Sequence, residues 1–186
     1  DLSDVDGDGD VDAVAVSFYS DVVAWYENDG SQSFADHVVT AAFDGASMAV
    51  AADMDNDGDL DLLATEQYED DVAWFENDGA QSFAEHSVAK GALDGALRVV
   101  ASDVDGDGDV DAVAVAINGD VVAWYDNDCA TSAPTASFGP TREPTHSFSP
   151  TPSPTPRATT LCASVAFSER DVLSADGPRY VYVHDV

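Results

Sequence analysis

The stretch Asp4-Val5-Asp6-Gly7-Asp8-Gly9-Asp10-Val11-Asp12 carries carboxylates at positions 1, 3, 5, 7 and 9 and glycine at position 6. The pattern returns with Asp53, Asp55, Asp57, Asp59 and Asp61, and again with Asp103, Asp105, Asp107, Asp109 and Asp111. Unpaired carboxylates this close repel one another, raise one another's pKa and oppose a compact loop. A hard divalent cation removes that cost. Ca2+ accepts six to eight oxygens in a flexible shell, and alternate residues of a tight loop can converge on it. Glycine at position 6 allows the left-handed backbone that turns the chain around an ion. No cysteine or histidine stands among these residues, which argues against Zn2+ and Cu2+. Mg2+ demands a stricter octahedron and keeps its water, so Ca2+ is the preferred ion. An EF-hand would need an acidic residue at position 12 and flanking helices. Position 12 is Ala15, Ala64 and Ala114, and both flanks read as strands, so the EF-hand is rejected.

The elements that must hold these loops follow from the repeat. The acidic loops are offset by 49 and 50 residues, and two further landmarks keep step. One is Trp25-Tyr26-Glu27-Asn28-Asp29-Gly30, then Trp74-Phe75-Glu76-Asn77-Asp78-Gly79, then Trp124-Tyr125-Asp126-Asn127-Asp128-Cys129. The other is Ser33-Phe34-Ala35-Asp36-His37 and Ser82-Phe83-Ala84-Glu85-His86. Each unit reads as four short strands, in unit two about Met48–Ala52, Leu60–Glu66, Val72–Glu76 and Phe83–Val88, with Asp44-Gly45 and Asp94-Gly95 as turns. Val22-Val23-Ala24-Trp25-Tyr26 is apolar on both alternating faces, so sheets must cover it from both sides. A four-stranded unit of about this period is the signature of a propeller blade. Trp25, Trp74 and Trp124 are expected at equivalent buried positions between blades, with a ligand-stacking set as the alternative. His37 and His86 are read as structural.

The Asp-x-Asp-x-Asp-Gly-Asp-x-Asp loop between strands, repeated about every 50 residues, resembles the FG-GAP/VCBS repeat family, which includes the calcium-bearing blades of integrin α-subunit propellers. The resemblance covers residues 1–130 and 163–186, and the calcium loop is its specific part. The Phe-Gly and Gly-Ala-Pro landmarks of the integrin version are weak or absent, so the VCBS-like branch is closer. The resemblance implies side-chain ligands at positions 1, 3, 5 and 9 and a backbone carbonyl at position 7. These are Asp4, Asp6, Asp8 and Asp12 with the Asp10 carbonyl; Asp53, Asp55, Asp57 and Asp61 with that of Asp59; and Asp103, Asp105, Asp107 and Asp111 with that of Asp109. Three Ca2+ ions are expected. The fold class is all-β: a partial β-propeller of about three four-stranded antiparallel blades. Three units and a fraction cannot close a ring, so the chain is expected to be a fragment of a larger propeller protein, able to associate through its unclosed edges.

The rest of the chain is different in kind. The formal charge is −31, of which residues 1–130 carry all but one unit. That excludes electrostatic binding to nucleic acid, and no apolar run is long enough to span a membrane. Residues 131–161 are rich in Pro, Ser and Thr and read as a disordered segment. Two readings remain: an insertion in the loop between the third and fourth strands of unit three, emerging on the face of the acidic loops, or a linker between propellers. The segment is either an O-glycosylated stalk or a bare tether. Residues 162–186 supply a strand completing the third blade and the start of a fourth repeat, in which Asp185 opens another loop. Cys129 and Cys162 bracket the segment, which suggests a disulfide in an oxidising compartment; two free thiols are the alternative.

The leading functional reading is a calcium-binding, non-enzymatic adhesion or interaction module, extracellular or at the cell surface, with an unknown protein or glycan partner. The alternative is a scaffold portion of a larger secreted carbohydrate-active or lyase-type enzyme whose catalytic groups lie elsewhere. No nucleophile elbow, phosphate loop or nucleotide fingerprint occurs in the sequence.

Overall fold

The computed structural model describes residues 1–129 and 165–174. Segment 131–161, Cys162 and the expected fourth repeat beyond residue 174 lie outside the described residues. Twelve strands run in chain order: β1 (Leu2–Ser3), β2 (Asp12–Ser17), β3 (Val22–Asn28), β4 (Phe34–Thr40), β5 (Ala46–Ala52), β6 (Asp61–Glu66), β7 (Asp71–Asn77), β8 (Phe83–Ala89), β9 (Ala96–Ser102), β10 (Asp111–Ala116), β11 (Val121–Asn127) and β12 (Phe167–Ser174). They form three antiparallel four-stranded meanders, β1 to β4, β5 to β8 and β9 to β12, none closed into a barrel. No described residue is helical, and no helix is long and apolar enough to cross a membrane.

The meanders stack face to face like successive blades. β2, β5 and β9 lie side by side across the stack. Alternation along β6 and β7 explains the central sheet. The cross-strand pairs Leu62–Phe75 and Ala64–Ala73 put one set of side chains on one face, where they meet Val14, Val23 and Trp25 of the first sheet. Leu63, Trp74 and Val72 point the other way, into a core with Val99, Ala112, Ala114 and Tyr125 of the third sheet. Every residue of β6 is therefore buried, as a strand covered on both faces requires.

The three tryptophans keep one register position, opposite Val14, Leu63 and Val113. Trp25 and Trp74 are buried between sheets. Trp124 departs from the expectation of equal burial. It is half-buried, because its face of the third sheet has no following sheet among the described residues.

β12 takes the outer place of the third sheet and pairs with β11, Trp124 opposite Arg170. The first two sheets show the same register, with Trp25 opposite His37 and Trp74 opposite His86. The chain leaves and rejoins the third sheet at neighbouring points, since Asp128 N donates to Ala166 O at 2.9 Å. Strand β12 thus holds in the third sheet the place that β4 and β8 hold in the first two.

Candidate metal centre

Each acidic loop joins the first and second strands of its sheet, and its backbone folds on the carboxylates themselves. Position 3 accepts the N–H of position 5 in all three loops, at 3.1–3.2 Å: Asp8 to Asp6, Asp57 to Asp55, Asp107 to Asp105. Position 5 likewise accepts the N–H of position 7 at 2.8–2.9 Å. Position 1 reaches across the turn to the glycine at position 6, Gly9, Gly58 or Gly108. Those glycines have φ of 97°, 99° and 102°, where a β-carbon is strained, so glycine is required there.

The position-9 residues have a second task. Asp12, Asp61 and Asp111 are fully buried. One oxygen of each accepts the N–H of position 2, namely Val5, Met54 or Val104, at 2.8–2.9 Å. The other accepts the N–H of Asn28, Asn77 or Asn127 at the end of the third strand, at 2.8–2.9 Å. Each carboxylate thereby ties its loop to the sheet, and a carboxylate with two such bonds keeps lone pairs for an ion.

The sequence reading missed two contributors. The asparagine after the Trp landmark is a clamp. Its Nδ2 donates to the position-8 carbonyl of Val11, Leu60 or Val110 at 3.0–3.1 Å. Of the preceding acids, Glu27, Glu76 and Asp126, the third is buried and brings a carboxylate oxygen within 4.8 Å of oxygens of Asp105 and Asp107. Both were visible as repeated letters in phase with the loop, but letters alone do not give a direction. Glu27 and Glu76 also hold His37 and His86 at 2.7 Å, and each imidazole stacks on its tryptophan.

The position-7 side chains turn away from the loop centre. The carboxylates of Asp10 and Asp59 lie where a β-carbon on Gly30 or Gly79 would stand, both with positive φ. In the third unit Cys129 replaces that glycine, and its N–H donates to Asp109 Oδ2 at 3.0 Å. Cys129 is buried and disulfide-bonded; its expected partner, Cys162, lies outside the described residues.

Carboxylate oxygens converge at positions 1, 3 and 5 in the first two loops, Asp4, Asp6 and Asp8, and Asp53, Asp55 and Asp57. In the third, Asp103, Asp105 and Asp111 form one group and Asp105, Asp107 and Asp126 another. The oxygens of each group lie within 4.8 Å of one another. Two oxygens sharing a Ca2+ at about 2.3–2.6 Å are at most about 5 Å apart, so the spacing fits. The donor set is all oxygen, as a hard cation prefers. Asp4 Oδ1 is buried with no hydrogen-bond partner among the described residues, and an ion would satisfy it. The electrostatics agree. Burial, then neighbouring carboxylates, pushes Asp55 up to about 6, and burial pushes Asp61 up to about 7 despite its two amide donors. Asp6, Asp53 and Asp109 are raised for the same reasons. Without a counter-ion the loops hold negative charge at a cost.

Comparison with curated proteins and with solved structures gives no significant match. The model of the FG-GAP-like repeat matches residues 4–64 and 53–114, two overlapping spans that each run from one acidic loop past the next. With these matches over more than half of its length, and with one loop geometry in three successive sheets, the chain belongs to the FG-GAP-like repeat family.

Proposed function

We propose that this β-propeller-like interaction module binds Ca2+ in its three acidic loops, acts without catalysis, and works outside the cell or at its surface. The observation that carries the calcium reading is the convergence of carboxylate oxygens within 4.8 Å in each of three loops built on one hydrogen-bond scheme. Position 1, 3 and 5 carboxylates supply most of the ligands, and the position-9 aspartate anchors the site to its sheet. An ion held there joins the loop to the ends of the first and third strands, so its role is to stiffen one face of the stack. The disulfide on Cys129 and the demand for abundant Ca2+ both suit an oxidising, calcium-rich compartment. A non-enzymatic role is supported by His37 and His86, the histidines among the described residues, each held between a tryptophan ring and a glutamate. The partner would be a protein or glycan docking on exposed loops.

Calorimetric titration of the chelator-treated chain with Ca2+ tests this. Three equivalents are expected, and Asp6→Ala, Asp55→Ala and Asp105→Ala should each remove about one. No heat of binding up to millimolar Ca2+ would overturn the calcium reading.

A further inference from the structure

The second and third loops touch across the interface between their sheets. Asn56 occupies position 4 of the second loop, between Asp55 and Asp57. Its Nδ2 donates to Asp109 Oδ1, at position 7 of the third loop, at 2.9 Å. The other Asp109 oxygen accepts the Cys129 N–H at 3.0 Å. Nearby, Asn127 Nδ2 donates to Met54 O at 2.8 Å, a second bond across the same interface. The first loop is built otherwise. Its position 4 is Gly7, with φ of 74°, and the third loop has Gly106, with φ of 83°. Asn56 adopts the same left-handed turn at φ 60°. Asparagine tolerates that region less easily than glycine, so the turn does not call for it. What asparagine adds is the amide that reaches the next loop.

The consequence concerns both loops. An ion drawn onto Asp55 and Asp57 fixes the residue between them, and with it the aim of the Asn56 amide. Asp109 then has both oxygens held, which fixes the peptide at position 7 of its own loop. We propose that Asn56 is a positioning residue that couples ion binding in the second loop to ion binding in the third. The pair takes up Ca2+ cooperatively, whereas the first loop binds independently. The inference rests on the reading of the loops as Ca2+ sites. Repulsion between neighbouring ions acts on the first and second loops as it does on the second and third. The first pair is therefore the internal comparison that lacks the asparagine. Ordering shared by two sites is needed once for both, which gives positive cooperativity without a large change of shape, and such coupling is reciprocal.

The test is calorimetric Ca2+ titration of the full 186-residue chain carrying Asp6→Ala, which leaves the second and third loops to be read alone. The isotherm should have a Hill slope above 1. Adding Asp55→Ala should leave a third loop that binds about 5- to 10-fold more weakly than the second ion of the intact pair, and adding Asp105→Ala should weaken the second loop by the same factor. Asn56→Gly, which the left-handed turn accommodates, should return the slope to 1. A slope of 1 before that substitution, or one unchanged after it, overturns the coupling. Asn56→Gly is also made in the chain with every aspartate intact, where it should lower the steepness of Ca2+ uptake, so the comparison decides the matter even where an aspartate variant fails to fold, which far-UV circular dichroism reports. A flat titration in every loop would instead overturn the calcium reading, so the two failures are distinct.

Discussion

Asp61 is fully buried, and both its oxygens are occupied by backbone N–H groups of Met54 and Asn77. Replacement by alanine leaves two buried amides without acceptors, at about 1–3 kcal/mol each. Asp61→Ala should therefore lower the unfolding free energy by about 2–6 kcal/mol in urea titration, and Asp61→Asn, which keeps one acceptor oxygen, by less. The same residue sets a pH dependence. Its folded-state carboxyl is raised to about 7 and that of Asp55 to about 6, from an ordinary 3.8, chiefly by burial. Between about pH 4 and 7 the folded chain binds more protons than the unfolded one, so stability falls as pH rises. The term is complete below the unfolded value and lost as pH passes the folded one. In EDTA the midpoint of urea unfolding should drop between about pH 4 and 7. Saturating Ca2+ should flatten or reverse that slope, because an ion favours the ionised carboxylates. A chelated chain whose midpoint rises over the same range would contradict the assignment.

At the scale of the element, the strand carrying the tryptophan explains how one letter takes two environments. Trp74 stands in β7, with the third sheet packed on its face, while Trp124 stands at the same place in β11 and is half-buried. Removing a buried aromatic side chain costs about 3–5 kcal/mol, and the cost falls with exposure. Trp74→Ala should thus be the more damaging substitution in denaturant titration, with Trp124→Ala well below it. Equal losses would mean that the outer face of the third sheet is as well covered as the inner interfaces. The stack of imidazole on indole in the first two sheets also belongs to this scale. It links the third strand to the fourth through side chains, at ring-centroid distances of 4.3 and 4.6 Å. Arg170 holds that register position in the third sheet.

For the whole molecule, the sheets meet through two apolar layers, and the acidic loops rim one end of the stack. Almost no base offsets the carboxylates, so each loop adds self-repulsion to the folded state. Binding confined to the folded state stabilises it by mass action, by about 2.7 kcal/mol for each site at a hundredfold excess over its Kd. Added Ca2+ should accordingly raise the melting temperature, and EDTA should lower it. Mg2+ at equal concentration should do less, since the loops offer a flexible, all-oxygen shell. Identical melting in Ca2+ and EDTA would show that the charge is carried without the ion.

The sequence by itself determined the repeat, the strand order within each unit and the loops in which carboxylates gather. Those properties are local. Period-2 alternation sets which side chains share a face, Asp-Gly pairs place the turns, and a glycine fixed at position 6 marks where the backbone must turn left-handed. The tertiary structure decided the rest. It showed that Asp12, Asp61 and Asp111 anchor their loops to backbone amides, and that the asparagine of the Trp landmark clamps the loop from the third strand. It also set Trp124 apart from its two equivalents and brought Asn56 onto Asp109, 53 residues away in the chain. None of these was legible in the letters. The anchors and clamps are bonds within one sheet and form only when its first three strands have paired; the other two depend on which sheet lies against which, since a hydrogen bond between loops of different sheets exists only once the sheets have stacked.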